Sequence, residues 1–365
     1  MTIGEPKHAF PGFVMEVINR EMSGFGRYPP IPGTPDLRRA IAGWLEVRYG
    51  LEGHLDPETH ILALNGTREG LFLSPLFLRS ASDSKNSSPA ILMPNPFYPV
   101  YAAAAIGAGA EPVYLPATAQ NGFLPDLAAL PEDLLARAVG MYLCSPSNPQ
   151  GAVAPVSYLE TAINLARQHG FILYADECYS EIYSGPKPPG ILEVAGKTGS
   201  FANILAFHSL SKRSNLPGLR SGFCAGDEKL IRKLARLRNI AAPQTPMPLQ
   251  AAAAAAWRDE KHVEENRRLY SAKFDAMDEI IGSSFGYQRP GGGFFAWLDV
   301  SANGGSEAAA LKLWREAGVR VLPGAYLGHE IAGENPGAAY IRVALVEDEG
   351  ITRMALQRIK KVLGE

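Results

Sequence analysis

The sequence predicts an α/β protein with a large domain built on a mainly parallel sheet flanked by helices, followed by a smaller α+β domain. Over the first two thirds of the chain, short apolar runs typical of strands buried on both faces alternate with helical patterns. Over the last third this alternation is lost, and strand patterns and helix patterns are mixed. The length of 365 residues is sufficient for two domains of ordinary size.

Six apolar runs predict the strands of the large domain, and they span residues 61–64, 90–94, 111–115, 140–144, 171–176 and 203–209. Helical patterns span residues 34–49, 68–79, 99–107 and 157–169. The first helix should begin after Thr34, because Pro35 is favoured in a first helical turn and the Asp36 carboxylate complements the helix dipole. Strands that alternate with helices in this way indicate parallel pairing through right-handed crossovers.

The last third predicts a different order of elements. It comprises one long helix over 251–277, a strand over 290–300, a helix over 307–318, strands over 319–323 and 339–344, and a final helix over 349–363. Three prolines in the segment 241–248 place the domain boundary near residue 250. We therefore expect an N-terminal arm or small-domain segment over 1–30, the large domain over 31–250 and the small C-terminal domain over 251–365. The polar residues 81–89 predict a surface loop.

Charge and composition exclude several classes of function. The 35 Lys and Arg residues nearly balance the 37 Asp and Glu residues, and no basic run indicates nucleic-acid binding. The longest small-apolar stretch, 102–110, is far shorter than the roughly 20 residues that cross a membrane. The N-terminus lacks the layout of a secretory signal, so we expect a cytoplasmic protein. The three cysteines are far apart and no histidine or cysteine cluster has metal-ligand spacing, so we expect neither a disulfide framework nor a metal site.

Two segments predict a ligand site at the edge of the sheet. The segment 145–151 (SPSNPQG) follows one predicted strand, and 174–179 (YADECY) ends the next one with two carboxylates. Ligands bind at the carboxyl edge of parallel strands, so Asn148 and Asp176 should lie at such a site. A carboxylate at the end of a buried strand is costly unless it is paired.

Two further segments predict an anion site. The segment 208–220 (HSLSKRSNLPGLR) combines hydroxyls, a lysine and an arginine after a predicted strand. Hydroxyl and guanidinium groups together suit a phosphate dianion, because guanidinium makes bidentate, charge-assisted hydrogen bonds. The segment 65–69 (NGTRE) is a glycine turn between a strand and a helix, where free backbone N–H groups bind anions.

These four segments together resemble the motifs of pyridoxal-phosphate (PLP) dependent aminotransferases of fold type I, class I/II. SPSNPQG resembles the asparagine loop of that family, YADECY its strand beside the pyridinium ring, and SLSK its cofactor-lysine segment. The resemblance extends from Gly4 to Arg342. It implies that the large domain binds pyridoxal 5'-phosphate and that the chain moves an amino group between an amino acid and a 2-oxo acid or aldehyde by a ping-pong mechanism.

The resemblance also implies roles for individual residues around the cofactor ring. Lys212 would form the internal Schiff base and move the proton between the substrate and the cofactor. Asp176 would keep the ring nitrogen protonated, so that the cationic ring accepts electrons from the substrate. Tyr179 and Asn148 would hydrogen-bond the phenolic oxygen, and Tyr98 would stack on the ring.

The remaining implied roles concern the phosphate, the substrate and a second subunit. The phosphate would be held by Gly66, Thr67, Arg68, Ser209, Ser211 and Arg220. The substrate would be bound by Gly4, Asn148 and Arg342, with the arginine gripping the α-carboxylate through a bidentate fork. Tyr28 would reach the phosphate of a partner subunit, which implies a homodimer with shared active sites. Two departures from the family pattern are a shorter N-terminal arm and an arginine at position 68, where lysine or serine is common.

Within the family, the segments around Gly66 and Lys212 most resemble succinyldiaminopimelate transaminases of lysine biosynthesis. A broad-specificity amino-acid transaminase and a PLP-dependent C–S lyase are alternatives, because spacing does not reveal a substrate pocket. A distant alternative is a serine acyl hydrolase, since Ser209 and Lys212 also match an SxxK motif, although the accompanying KTG at 197–199 precedes it instead of following it. A non-catalytic regulator with this fold would carry an added DNA-binding domain, for which no residues are left.

Overall fold

The computed structural model describes residues 1–81 and 88–364. Its α-helices are α1 (Phe13–Arg20), α2 (Pro35–Tyr49), α3 (Thr67–Leu73), α4 (Pro99–Gly107), α5 (Glu132–Arg137), α6 (Val156–His169), α7 (Ile191–Gly196), α8 (Leu210–Arg213), α9 (Glu228–Ala241), α10 (Met247–Arg258), α11 (Lys261–Ile280), α12 (Gly305–Lys312) and α13 (Glu349–Leu363). Its β-strands are β1 (Ile61–Leu64), β2 (Ala90–Asn95), β3 (Glu111–Pro116), β4 (Ala138–Cys144), β5 (Ile172–Asp176), β6 (Ile204–Ser209), β7 (Gly222–Gly226), β8 (Phe295–Asp299), β9 (Leu322–Pro323) and β10 (Tyr340–Ala344). Most of the loop predicted over 81–89 lies outside the described residues.

Strands β1 to β7 form one sheet in the order β1-β7-β6-β5-β4-β2-β3. Neighbouring strands pair in parallel from β3 to β6, whereas β7 runs antiparallel to both β6 and β1. The predicted α/β class with a mainly parallel sheet is therefore confirmed. Strand β7 is missing from the sequence prediction, because its five residues form a short run that begins and ends with glycine.

Helices cover both faces of this sheet. Alternate residues of β5 point to opposite faces, so Leu173 and Ala175 join one apolar core while Ile172 and Tyr174 join another. The first core is completed by α2, α6, α7 and α10, and the second by α3, α4 and α9. Strands that are covered on both faces are apolar throughout, which is why the sequence reveals them.

Two helices show how local sequence sets their limits. Helix α2 begins as predicted, since Thr34 Oγ1 accepts a hydrogen bond from the Leu37 backbone N–H (3.3 Å). The helix predicted over 68–79 is α-helical only as far as Leu73 and continues as 3-10 turns. Pro75 explains the change, because proline lacks the N–H that an α-helical hydrogen bond requires.

Strands β8, β9 and β10 form a second, antiparallel sheet in the order β8-β10-β9. Helices α11, α12 and α13 pack on it around a separate apolar core. The α+β arrangement predicted for the end of the chain is confirmed, whereas the exact limits of the domains stay a prediction. None of the helices in the described part of the chain combines the length and the apolar character of a membrane span.

The single helix predicted over 251–277 is wrong. Two helices, α10 and α11, occupy this segment, because the backbone at Asp259 is extended and its carboxylate accepts a hydrogen bond from the His262 N–H (3.1 Å). Helix α10 packs with the large sheet, where Trp257 is buried in the first core. The predicted domain boundary near residue 250 therefore falls inside α10.

One buried arginine ties α9 to the turn between β1 and α3. Arg238 has 1% of its surface exposed and donates through Nε to the Glu69 carboxylate (2.5 Å). Its Nη1 donates to the backbone carbonyls of Ala63 (2.8 Å) and Ile31 (3.2 Å). Glu69 in turn accepts a hydrogen bond from the Asn65 backbone N–H (2.7 Å). The ion pair therefore fixes the turn that precedes α3.

Replacing Arg238 by methionine should lower the free energy of unfolding by about 3 kcal/mol, because the largely buried Glu69 carboxylate would lose its charged partner. Chemical denaturation measures this change. Arg236→Met is the matched control, since this side chain lies on the same helix but is exposed, and its loss should change stability by less than about 0.5 kcal/mol. Equal effects of the two substitutions would contradict a stabilising role for the ion pair.

Candidate active site

The carboxyl ends of three neighbouring parallel strands bring together residues that are far apart in the sequence. Asp176 is the last residue of β5, and it pairs with Cys144 at the end of β4 and with Phe207 near the end of β6. The loop after β4 carries Asn148, and the short helix α8 after β6 carries Lys212. The sequence predicts one site for these side chains, and the structure brings them to one cleft.

The Asp176 carboxylate accepts hydrogen bonds from two neighbours in the cleft. The Tyr101 hydroxyl, on α4, donates to Oδ2 (2.7 Å), and the Cys178 backbone N–H donates to Oδ1 (3.3 Å). Burial raises the pKa of the Tyr101 phenol well above its usual value, and the charge of Asp176 raises it further. Tyr101 therefore stays protonated and acts as a hydrogen-bond donor that holds the carboxylate in place.

The amine of Lys212 borders the same cleft. Its Nζ donates to the Gly4 carbonyl (2.5 Å) and lies 5.6 Å from the centre of the Phe294 ring. Burial lowers the pKa of this amine below the usual value for lysine. A lowered pKa increases the fraction of neutral amine, which is the nucleophilic and basic form.

Aromatic and amide side chains line the middle of the cleft. Tyr98, Tyr179 and Asn148 border a cavity of about 420 Å³. Burial raises the pKa of the Tyr179 phenol well above its usual value, while the charge of Arg342 opposes that effect. The Tyr98 hydroxyl accepts a hydrogen bond from Arg68 Nε (2.8 Å). Together these groups offer hydrogen bonds and aromatic surface to a planar ligand.

A second cavity, of about 280 Å³, adjoins the first and shares Lys212 with it. It is lined by the residues predicted to bind phosphate, namely Gly66, Thr67, Arg68, Ser209, Ser211 and Arg220. The Arg220 guanidinium occupies the space that a Cβ atom at position 66 would need, and it donates to the Asn65 carbonyl (3.1 Å). The positive φ of Gly66, 79°, also favours glycine there.

Arg342, in β10, is a buried arginine with neutral hydrogen-bond partners. Nη1 donates to Asn148 Oδ1 (2.9 Å), Nη2 donates to the Thr2 carbonyl (2.8 Å), and the guanidinium lies 4.2 Å from the centre of the Phe295 ring. Within the described residues, no carboxylate lies within 4.0 Å of this guanidinium and its Nε has no hydrogen-bond partner. Burial lowers its pKa. A buried guanidinium without a counter-ion is costly, so this one is suited to an anionic ligand.

The structure separates one predicted site residue from the cleft and adds others that the sequence did not predict. Tyr28 is fully exposed and borders neither cavity, so its contact with a partner subunit's cofactor stays a prediction. Tyr101 and Cys178 border the cleft, although the sequence motifs assign them no role. The signal for Tyr101 is its position in the first turn of α4, three residues after Tyr98, the residue that precedes this helix.

A Ser-His-Asp arrangement also occurs outside the cleft. His262 Nδ1 lies 2.5 Å from Asp259 Oδ1, and its Nε2 lies 2.8 Å from Ser214 Oγ. Ser214 has none of its surface exposed, so no substrate reaches its hydroxyl. The Ser209 hydroxyl, the nucleophile of the SxxK alternative, caps α8 by accepting a hydrogen bond from the Ser211 N–H (3.1 Å). Acyl hydrolysis requires a serine with both access and an adjacent base. Ser214 lacks the access, and the Ser209 hydroxyl is engaged in capping α8 instead of being hydrogen-bonded to a base.

The donor set of the two cavities fits the cofactor that the sequence motifs imply. Pyridoxal 5'-phosphate combines a phosphate, an aldehyde and a pyridine ring. Three hydroxyls beside the Gly66 turn and the Arg220 guanidinium match a phosphate, the Lys212 amine matches an aldehyde, and the Asp176 carboxylate matches a protonated ring nitrogen. No group of three or more His, Cys, Asp or Glu side chains in the described ranges, 1–81 and 88–364, could hold a metal ion.

Known aminotransferases are similar to this chain in sequence and in structure. An LL-diaminopimelate aminotransferase from Desulforudis audaxviator (strain MP104C) is 33% identical over 99% of this chain and 89% of its own length. The crystal structure of an aminotransferase from Neisseria meningitidis Z2491 has a TM-score of 0.92 and 38% identity, covering 99% of this chain and 91% of that one. A probable N-succinyldiaminopimelate aminotransferase from Thermus thermophilus has a TM-score of 0.87 and 27% identity, covering 100% and 94%.

The family model described as aminotransferase class I and II matches residues 1–359. The match therefore includes both sheets and every strand end that contributes to the cleft. With this coverage, and with relatives above 30% identity over nearly its whole length, the chain belongs to the class I and II aminotransferases.

Proposed function

We propose that this enzyme transfers an amino group between a diaminopimelate, in its N-succinyl form above all, and a 2-oxo acid such as 2-oxoglutarate. As a class I and II aminotransferase it is PLP-dependent and acts on amino acids and 2-oxo acids, which excludes the serine acyl hydrolase considered from the SxxK motif. The charges of the cleft and the names of the relatives support the choice of substrate.

The residues of the cleft divide the work of proton transfer. The bound cofactor supplies an electron-accepting ring that stabilises negative charge on the substrate α-carbon. Asp176, fixed by Tyr101, would hold a proton on the ring nitrogen. Lys212 Nζ would hold the cofactor and then, as a neutral amine, would move the proton between the substrate α-carbon and the cofactor. Tyr179 stays protonated because of its raised pKa, so its hydroxyl would donate a hydrogen bond to the ring oxygen.

The unpaired charge of Arg342 is the observation that carries this proposal. A substrate α-carboxylate supplies the anion that the guanidinium lacks and can accept hydrogen bonds from two of its N–H groups. Amino acids and 2-oxo acids both carry an α-carboxylate. One buried arginine can therefore serve both halves of a ping-pong reaction.

Replacing Arg342 by lysine keeps the charge but removes the planar fork, so KM should rise on the order of tenfold or more. The amino donor and the 2-oxo acceptor should both be affected, because both present an α-carboxylate to the same guanidinium. Steady-state kinetics with each substrate varied in turn measures the two KM values. A rise for only one substrate would show that Arg342 binds a side chain instead.

A second cation borders the substrate cavity. Arg68 donates to the Tyr98 hydroxyl, and in the part of the chain that the structure describes it has no carboxylate within 4.0 Å. Leu322 and Leu327 add apolar surface to the same cavity. A substrate with a carboxylate at each end and a methylene chain between them therefore suits the cleft. The relatives named LL-diaminopimelate and probable N-succinyldiaminopimelate aminotransferase point to the same type of substrate.

A substrate panel with 2-oxoglutarate as acceptor tests the proposal. We expect the largest kcat/KM with a diaminopimelate, and a larger value for N-succinyl-LL-diaminopimelate than for LL-diaminopimelate, as the segments around Gly66 and Lys212 indicate. Aspartate, alanine and phenylalanine complete the panel. A larger kcat/KM with any of these three would support the broad-specificity alternative. Release of a thiol from a sulfur-containing amino acid would support the C–S lyase.

Replacing Arg68 by glutamine should raise KM for the diaminopimelate about tenfold and leave KM for alanine within about twofold, because alanine has no distal carboxylate. The same kinetics with the two donors measures the difference. If Arg68 instead binds the phosphate, as the motif resemblance implies, the variant should lose PLP during dialysis. Equal KM changes for both donors would contradict a distal-carboxylate contact.

We further propose that the enzyme is a homodimer with shared active sites. Large exposed apolar side chains are concentrated in the first 28 residues. The exposed apolar residues of this segment are Ile3, Phe10, Met15, Met22, Phe25 and Tyr28. Exposed apolar surface of this kind is typical of a protein contact. A second copy that covers this segment would place Tyr28 near the partner's phosphate cavity, as the motif resemblance implies.

A further inference from the structure

Asn266 uses its whole side-chain amide in a buried hydrogen-bond network beside the cleft. The residue lies on α11 and has 3% of its surface exposed. Its Nδ2 donates to the carbonyls of Lys212 (3.2 Å) and Arg213 (3.3 Å). Its Oδ1 lies 2.9 Å from His8 Nδ1 and accepts a hydrogen bond from Asn215 Nδ2 (3.1 Å). Two donated and two accepted bonds exhaust the capacity of an amide.

Two of these bonds hold the backbone of the lysine in the cleft. Helix α8 is a single turn, and the last carbonyls of a helix have no partners within it. Asn266 supplies partners for the carbonyls of Lys212 and Arg213. The backbone position of Lys212, and with it the reach of Nζ, therefore depends on a side chain from α11.

His8 joins the same network to the N-terminal segment. Lys273 Nζ lies 2.6 Å from His8 Nε2 and donates to the Leu345 carbonyl (3.1 Å). An ammonium group accepts no hydrogen bond, so Nε2 is the acceptor and the ring proton is on Nδ1, which donates to Asn266 Oδ1. Burial also lowers the pKa of His8, which favours this neutral ring.

The first residues of that segment contact the Lys212 amine and the Arg342 guanidinium. The Gly4 carbonyl accepts a hydrogen bond from Lys212 Nζ, and the Thr2 carbonyl accepts one from Arg342 Nη2. Gly4 also borders both cavities. Residues 2–8 therefore cross the cleft, with their first carbonyls at the reactive groups and His8 anchored on α11.

We infer that Asn266 and His8 are positioning residues, which hold residues 2–4 and the backbone of Lys212 in a fixed relation across the cleft. Neither side chain borders the cavities. This role depends on the proposed functions of Lys212 and Arg342. Loss of the His8–Asn266 bond loosens residues 2–4 and acts on substrate binding. Loss of the Asn266 bonds to α8 also displaces Lys212 and acts on turnover.

Three substitutions at His8 test whether its hydrogen bond to Asn266 holds residues 2–4 in place. His8→Ala should raise KM about tenfold with kcat changed less than twofold, and should speed amide hydrogen exchange of residues 2–8 in the holoenzyme about tenfold. His8→Asn places an N–H donor near the position of Nδ1 and should recover most of both effects. His8→Gln reproduces the acceptor at Nε2 alone and should recover little. Unchanged exchange in His8→Ala, or equal behaviour of His8→Asn and His8→Gln, would overturn the proposal.

Asn266→Ala extends the test to Lys212. This variant should lower kcat at least tenfold as well as raise KM, because both carbonyls at the end of α8 lose their partner. Asn303→Ala is the matched control, since Asn303 Nδ2 donates to the Leu363 carbonyl at the end of α13, outside the cleft (2.9 Å). Equal kcat values for the two variants would refute a positioning role for Asn266.

The two readouts separate this proposal from the choice of substrate. Kinetics are measured with whichever amino donor gives the largest kcat/KM, so a wrong diaminopimelate assignment leaves the comparison of variants intact. Hydrogen exchange of residues 2–8 needs no substrate at all. If Asn266→Ala does not fold, the His8 variants still test the proposal. They should fold, because His8 lies in the N-terminal segment and outside the apolar cores.

Discussion

The direction of a few neighbouring strands determines where the lysine, the carboxylate and the phosphate cavity of this protein lie. Strands β4, β5 and β6 are parallel, so the residues at or after their carboxyl ends converge at one edge of the sheet. Strand β7 runs the other way, with Gly222 opposite Ser209, and it therefore brings Arg220, two residues before its first residue, to the same edge. Strand β1 is antiparallel to β7 and delivers the Gly66 turn. One edge thus collects Asp176, Lys212 and the phosphate cavity.

Two buried arginines show how the same side chain serves stability at one place and binding at another. Arg238 is paired with Glu69, and the pair fixes the turn before α3. Arg342 is also buried, yet no described carboxylate neutralises it, so its charge stays available to a ligand. An unpaired buried charge lowers stability, so we expect one mainly where a bound ligand supplies the opposite charge. The missing partner is therefore a better sign of function than the arginine itself.

The sequence is sufficient to predict strands and motifs made of consecutive residues, but not contacts between residues that are far apart along the chain. Strands covered on both faces and the four motif segments are short runs, so their position along the chain is enough to recognise them. The break at Asp259 escapes detection, because the charged residues around it also suit an exposed helix. Tyr101 and Asn266 escape for another reason: their partners, Asp176 and Lys212, lie 75 and 54 positions away. The contacts of such side chains are identified only from the tertiary structure.

The neutral acceptors around Arg342 are part of how the site works. Asn148 Oδ1 and the Thr2 carbonyl each accept one of its hydrogen bonds, which lowers the cost of burying the guanidinium. Neither carries a charge, so the attraction for a substrate carboxylate is not cancelled, and a charged acceptor can displace a neutral one. A carboxylate in the place of the Thr2 carbonyl would instead occupy the site permanently. A backbone carbonyl from the N-terminal segment is therefore suited to this position. Because this carbonyl contacts the guanidinium proposed to bind the substrate, we expect the anchoring of the segment to affect KM.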